Sequence, residues 1–181
     1  MLKPLFSVAA LLCLIGTAAY AVEGNPLKNA KVGDFAAYKM STKMGAMAMD
    51  METKRTVTNK TDTEVTMEIA TKVMGHETKV THTVKLDEKF DPREMAMKGQ
   101  PGATFKELDK GEETITVADK ALKTTWTSFE ITGVQGQEAA NMKGKAWVCP
   151  DIPLGGLVKS ETDMGGRGTM TMVLVDYGNA K

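Results

Sequence analysis

The stretch TEVTMEIATKVMGHETKVTHTVKL, residues 63–86, decides the fold of this chain. Its side chains alternate between apolar and polar with a period of two residues, which indicates strands with one apolar and one solvated face. If Gly75 and His76 form a two-residue turn, the two strands pair as a hairpin in which Ile69 faces His82. In that register the apolar side chains of one strand meet the apolar side chains of the other.

The same alternation continues in the preceding segment KMGAMAMDMETK, residues 43–54, where every second residue from Met47 onward is apolar or threonine. A helix would scatter these methionines around its circumference, whereas a strand places them on one face. The segment GTMTMVLVDYG near the other terminus repeats the pattern. We therefore predict one apolar face of a sheet, lined by Met47, Met49, Met51, Met67, Ile69, Val73, Val80, His82, Val84, Met170 and Met172.

Methionine thioethers also bind soft ions such as Cu(I), so the segment offers an alternative interpretation as a metal site. Its ligands would be Met44, Met47, Met49 and Met51, with His82 as a further candidate. However, alternate residues along one strand are about 6.6–6.8 Å apart, so three sulfurs converge only if the side chains bend together. Methionine is also a flexible filler of apolar cores and adaptable cavities. The sequence thus favours an apolar lining, with no metal and no cofactor.

The remaining segments complete a mainly β protein. Residues 32–40 form an opening strand, a hairpin turns around Ala118 to Lys120, and GKAWVCP and GGLVKSET give two short strands before the last one. The segment FDPREMAMKG has helix capping residues, which predicts a short helix over 92–98. The fold class is therefore a single curved antiparallel sheet, or open half-barrel, of about nine strands with one or two short helices.

Four residues late in the chain have specific predicted positions. Trp126 and Trp147 are the simplest candidates for core anchors. Pro150 and Pro153 lack a backbone N–H and would interrupt a central ladder, so their segment is expected at a sheet edge or across a corner.

The N-terminus is typical of a secretory signal peptide. Lys3 provides the positive start, residues 5–15 are an apolar run, and Ala19-Tyr20-Ala21 fits a cleavage site. The run is too short to span a bilayer, which needs about 20 apolar residues, so no transmembrane segment is predicted. We expect cleavage near Ala21, a signal peptide over 1–21, a single β-rich domain over 22–181, and a periplasmic or secreted protein.

Composition excludes several classes of function. Without Lys3 the mature chain is almost neutral, and it has no basic stripe that would favour nucleic acid. Cys13 leaves with the signal peptide, so Cys149 has no partner for a disulfide and is expected to be a small buried apolar residue. The chain has only two histidines and no nucleophile–base pair, so it is not expected to be an enzyme.

Two segments, KVGDFAAYK and KAWVCPDIPLGGLVKSE, resemble parts of exported bacterial proteins, most of them uncharacterised. Their architecture is similar to that of the LolA/LolB lipoprotein carriers, an open antiparallel barrel that holds acyl chains on its concave face. The resemblance implies a fold and makes a role in binding lipid possible, but its motifs are structural. The residues that carry it are Gly33, Asp34, Tyr38, Trp147, Val148, Pro153, Gly155, Gly156 and Lys159.

Three functions therefore remain open from the sequence. The first is an exported protein that binds a lipid or another apolar molecule on the methionine-lined face. The second is a periplasmic Cu(I)-binding protein that uses the methionine-rich strand. The third is a structural or interaction domain without a ligand.

Overall fold

A computed structural model describes residues 25–87, 103–133 and 141–179 of the chain. Within these ranges the chain forms nine strands and one short 3₁₀ helix, Pro26–Asn29. The strands are β1 (Asp34–Met44), β2 (Met47–Lys60), β3 (Glu64–Val73), β4 (His76–Lys85), β5 (Thr104–Val117), β6 (Lys120–Thr132), β7 (Met142–Val148), β8 (Leu157–Asp163) and β9 (Thr169–Asn179). The predicted mainly β fold with nine strands is confirmed.

All nine strands belong to one open sheet of order β4-β3-β2-β1-β9-β8-β7-β6-β5, and every neighbouring pair is antiparallel. Strands β1–β4 form one meander and β5–β8 form a second one. The last strand, β9, lies between them and pairs with both β1 and β8. The sheet is therefore complete only when the C-terminal strand has joined the two meanders.

The sheet curls towards the face that bears the core, which we call the inner face. Strand β5 contacts β9 although the two are four positions apart in the strand order. At the tip of the β5–β6 hairpin, Lys120 Nζ lies 5.2 Å from the ring centroid of Tyr177. Tyr177 pairs with the fully buried Ala36, so it belongs to the inner face. Core side chains from both halves of the sheet, among them Val57, Phe129 and Leu174, pack in one cluster, so the inner face is the concave one.

The β3–β4 hairpin has the predicted faces but not the predicted register. Its turn is formed by Met74 and Gly75, with φ of 50° and 85°, so Ile69 pairs with Val80. His82 pairs instead with Met67, two residues from the predicted partner. A two-residue turn of this kind requires positive φ at both central residues, and a glycine at the second of them satisfies this more easily than a histidine would. Because the shift is two residues, Ile69 and His82 still lie on the same face.

The proline-containing segment is a loop between two strands, so of the two predicted positions the sheet edge was wrong. It connects β7 to β8, which are both interior strands. The N–H of Cys149 donates to the carbonyl oxygen of Gly156 at 2.9 Å and closes the loop, so both prolines lie outside the ladder. Ile152 and Leu154 of this loop are buried in the core, and so is Cys149, as expected.

The two tryptophans, which were predicted as core anchors, differ in burial, because Trp147 is buried and Trp126 is half-buried. They pair across β6 and β7 and have the opposite parity to Phe129 and Ala146 of the core cluster. Trp147 is only 4% exposed, but lysines cover it, and the Lys145 Nζ lies 4.6 Å from its ring centroid. It is thus buried by cation–π contacts and lysine stems on the surface of the sheet.

The described helix is not the predicted one. The predicted helix over 92–98 lies outside the described residues, as does the predicted signal peptide over 1–21. The 3₁₀ helix has Asn25 as its N-cap, and the Oδ1 of Asn25 accepts a hydrogen bond from the N–H of Leu27 at 3.0 Å. A capping asparagine followed by Pro26 is a typical helix start. This short helix places Leu27 in the core.

Candidate functional site

The inner face of the sheet is buried in its middle and open along β2–β4. On the central strands β1, β8 and β9, the inner side chains Tyr38, Val158 and Leu174 are all buried. On β4 the inner side chains are mostly exposed, and Val80 retains 55% of its surface. Exposed valine on the concave side of a sheet is apolar surface that the described residues leave uncovered. This open part of the inner face is the candidate site.

All of the predicted site residues lie on this face, but they divide into two groups by burial. Met51, Met67, Met170 and Met172 are buried and belong to the core cluster. The second group is partly or largely exposed and consists of Met47, Met49, Ile69, Val73, Val80, His82 and Val84. Only the second group can contact a ligand without rearrangement of the core.

Further apolar side chains of the inner face, which were not predicted as part of the site, come from β5 and β6. Phe105 stacks on Phe129 with ring centroids 5.2 Å apart. Ile131 pairs with Phe105 and extends the apolar surface. The alternation in TSFEI could have indicated Phe129 and Ile131.

An arginine also lies on the inner face and was missed. Arg55 pairs with Ala36 on one side and with Ile69 on the other, and its guanidinium carbon is 5.6 Å from the ring centroid of Tyr38. Its parity is that of Met51 and Thr53, so the period-two pattern contained this information. A fixed positive charge therefore lies within an otherwise apolar face.

Tyr38 connects the two sequence segments that carry the family resemblance. Its hydroxyl donates to the carbonyl oxygen of Leu157 at 3.3 Å, across 119 positions of sequence. Burial raises the pKa of the Tyr38 hydroxyl, and the nearby positive charge of Arg55 partly offsets this effect. The motif residues thus hold β1 against the start of β8, which is a structural role.

Two hydroxyls on β8 are buried in the core. Ser160 and Thr162 are nearly inaccessible, and neither side-chain oxygen has a hydrogen-bond partner among the described residues. Both lie on the inner face, where they pair with Met172 and Met170. A buried hydroxyl without a partner costs about 1–3 kcal/mol, so this strip is less stable than an apolar one would be.

The outer face is polar along β2–β4, as the alternation predicted. Lys79 Nζ forms an ion pair with Glu68 at 3.0 Å. A shallow depression on this face is lined by alternating acidic and basic side chains, among them Glu52 and Lys54, together with Val175. Positive and negative charges are balanced there, so the depression is an ordinary solvated surface.

The two histidines do not form a site with one another or with the methionines. His82 pairs with Met67, which pairs with Val57, and this row lies roughly 20 Å along β2 from Met51 at about 3.3 Å per residue. His82 therefore does not join the methionine-rich strand segment. In the described parts of the chain, no group of three or more His, Cys, Asp or Glu residues could hold a metal ion.

The described ranges contain no helix that is long and apolar enough to cross a bilayer.

Comparison with known proteins identifies the fold. No family model matches the chain, and no curated protein matches its sequence. A Bacteroides fragilis protein described as exported and as having a YmcC-like fold is 11% identical, with a TM-score of 0.52 over 82% of this chain and 97% of that one. The chain has a YmcC-like fold.

Two further solved structures are similar at lower TM-scores. The hypothetical lipoprotein YmcC from Escherichia coli is 12% identical, with a TM-score of 0.36 over 81% of this chain and 86% of its own. A LolA superfamily protein from Nitrosomonas europaea is 9% identical, with a TM-score of 0.28 over 96% of this chain and 93% of its own. The resemblance to exported bacterial proteins predicted from the sequence is supported at the level of fold by the Bacteroides fragilis structure alone, and an identity this low says nothing about function.

Proposed function

We propose that this protein is an exported, non-catalytic protein that binds a lipid or another apolar molecule on the inner face of its sheet. The proposal includes a signal peptide over 1–21, cleavage near Ala21, and a mature β-rich domain over 22–181 in the periplasm or outside the cell. The single observation that carries it is the uncovered apolar surface along β2–β4, where Met49 and Val80 are 36% and 55% exposed on the concave side.

The shape and chemistry of the face support this function. Ile69, Val73 and Val84 are partly buried beside the exposed residues, and Phe105 stacks on Phe129 of β6. Burial of apolar surface contributes about 25 cal/mol per Å², so an acyl chain that covers this face would gain affinity without any specific polar contact. Methionine adapts its side chain to varied shapes, which suits a site that accepts chains of different length.

The fold of the Bacteroides fragilis protein also supports the proposal. That protein is described as exported, which agrees with the signal peptide expected here. The two sequence segments resemble exported bacterial proteins whose architecture is similar to that of the LolA/LolB carriers, which hold apolar ligands on a concave sheet.

The test is displacement of a fluorescent long-chain fatty acid from the purified mature chain. In Val80→Asp a charge enters the inner face, so the affinity is expected to fall, because a carboxylate beside an acyl chain would have to be desolvated. Val175→Asp is the matched control, since Val175 is 46% exposed but lines the outer depression. Equal affinity in both variants, or no binding by the wild type to any lipid in a total extract, would leave the third alternative, a domain without a ligand.

A further inference from the structure

Three methionines come together where β1 and β2 meet at their hairpin turn. Met44 and Met47 are directly opposite one another, and Met49 is opposite Thr42, so it is the diagonal neighbour of Met44. All three have the parity of the buried Met51 and Met40, so they lie on the inner face. The turn thus brings three thioethers from two strands to one end of the sheet.

These three side chains are accessible from solvent. Met47 is 66% exposed and Met49 is 36% exposed, while Met44 is partly buried against the core. Methionine is among the residues most often fully buried, so two exposed methionines beside a third are not explained by core packing. An ion could reach this position without any opening of the core.

The spacing of about 6.6–6.8 Å between alternate residues, which disfavours a metal site, separates residues of the same strand only. Directly opposite residues of an antiparallel pair have Cβ atoms about 4.5–5.5 Å apart, and diagonal neighbours are about 7–8 Å apart but within reach of long side chains. Strand β2 alone would provide only the sulfurs of Met47 and Met49, and Met44 adds a third sulfur from β1. Methionine also has three rotatable bonds, so its sulfur can move towards a shared ion.

The surroundings of the three residues are also thioether-rich. On the other side of Thr42, the buried Met170 of β9 pairs with it, and in the next row inward Met40 lies between Met51 and Met172. No carboxylate, imidazole or thiol occurs among these inner-face positions. Such a set of donors suits soft ions and is unsuitable for Mg²⁺, Ca²⁺ or Mn²⁺, which prefer oxygen ligands.

We propose that Met44, Met47 and Met49 form a binding site for one soft monovalent ion, Cu(I) or Ag(I), beside the turn between β1 and β2. Thioethers carry no charge, so the bound ion keeps its single positive charge. The exposure of Met47 lets water solvate that charge, which limits the cost of desolvation. The site shares Met47 and Met49 with the uncovered apolar surface along β2–β4, but it needs their sulfur atoms, whereas an apolar molecule needs only their apolar surface.

The experiment is a titration of the mature protein with Ag(I), and with Cu(I) in competition with a chromophoric chelator under reducing conditions. The wild type is expected to bind one ion, and the methyl NMR signals of Met44, Met47 and Met49 are expected to shift. The triple variant Met44→Leu, Met47→Leu, Met49→Leu keeps the volume and apolar character but has none of the three sulfurs, so it is expected to lose binding.

Two matched controls make the same substitution elsewhere. Met74→Leu changes a methionine that is 89% exposed in the β3–β4 turn, and Met67→Leu changes a buried one on the same inner face. Both are expected to bind as the wild type does. The proposal is overturned if the wild type binds no ion, if the folded triple variant binds as tightly, or if either control loses binding equally. Val80→Asp, which is expected to weaken binding of the fatty acid, lies away from the three methionines and should bind the ion as the wild type does, so a failure of one proposal does not imply failure of the other.

Discussion

The ring of Phe129 on β6 lies directly over Gly144 on β7. The two residues pair across the strands, and a Cβ placed on Gly144 would lie 2.7 Å from Cε2 of the ring. Phe129 is fully buried, and its other neighbour Phe105 stacks on it. The absence of a side chain at residue 144 therefore determines how the fully buried Phe129 ring packs.

The first prediction follows from this contact. Gly144→Ala is expected to destabilise the protein by about 1–3 kcal/mol, because the added methyl group displaces the Phe129 ring. Urea unfolding of the mature chain measures the change. Lys143→Ala, on the neighbouring exposed position, should change stability by less than about 0.5 kcal/mol. The double variant with Phe129→Leu should show a smaller effect of the alanine, and an unchanged effect would contradict the ring contact.

A second prediction concerns the hydroxyl of Thr162. Thr162→Val removes a buried hydroxyl that has no partner among the described residues, so stability is expected to rise by up to about 1–3 kcal/mol. The control is Thr124→Val. The hydroxyl of Thr124 is also buried but donates to the carbonyl oxygen of Glu113 at 2.6 Å, so its loss should lower the stability. If both substitutions change the free energy of unfolding in the same direction, the assignment of partners is wrong.

The third prediction tests the register of the β3–β4 hairpin. Met74 has a φ of 50° and precedes a glycine, so Met74→Asn creates the Asn-Gly sequence that a turn of this kind prefers. The midpoint of thermal unfolding is expected to rise. His76→Asn makes the same substitution in the first residue of β4, where no gain is expected. If only His76→Asn raises the midpoint, the turn is formed by Gly75 and His76, as the sequence suggested, and the register described here is wrong.

The fourth prediction concerns high pH. Burial raises the pKa of Tyr38, so the folded protein holds the neutral hydroxyl above pH 10.0, where the unfolded chain ionises. The stability that this group contributes is fully present below the unfolded pKa and is lost as the pH rises through the folded one. In Tyr177→Phe, phenolate absorbance of the mature chain reports Tyr38 alone. Its titration should be shifted upward, and Arg55→Met should shift it further, because the nearby positive charge is removed.

A Tyr38→Phe variant provides the control for this pH dependence. It should be less stable at neutral pH by about 0.5–1.5 kcal/mol, since the hydrogen bond to the carbonyl oxygen of Leu157 is lost. It should also lose less stability than the wild type between neutral and strongly alkaline pH. An identical alkaline profile in both proteins would show that another group controls the transition.

Local alternation was sufficient to predict the strands, because each side chain faces the core or the solvent independently of distant parts of the chain. The hairpin register was missed by two residues because it depends on the backbone angles of Met74 and Gly75, which the apolar pattern does not contain. The pattern did not indicate the face on which Trp147 lies, because Ala146, Trp147 and Val148 are all buried and do not alternate.

The candidate site could be predicted only in part. Parity placed Met47 and Met172 on one face, but it could not show that Met172 is buried whereas Met47 is exposed, since that depends on the curl of the sheet. Arg55 was missed because a charged residue was not expected among the alternate positions of β2 that face inward. Contacts between Met44 and Met47 depend on the turn that pairs their strands, and spacing along one strand cannot reveal them.

The position of β9 between the two meanders has a consequence for the order of folding. Each meander can form from contacts between consecutive strands, but β1 reaches β8 only through residues 169–179, the last strand in the chain. During synthesis, β1 of one meander and β8 of the other therefore remain unpaired on one side until β9 has been made. Such long-range pairing is typical of proteins that fold in milliseconds to seconds. A chain that ends before Thr169 would keep its local hairpins but expose the unpaired backbone N–H and C=O groups of β1 and β8. Because such edges pair with other chains, premature termination would promote aggregation.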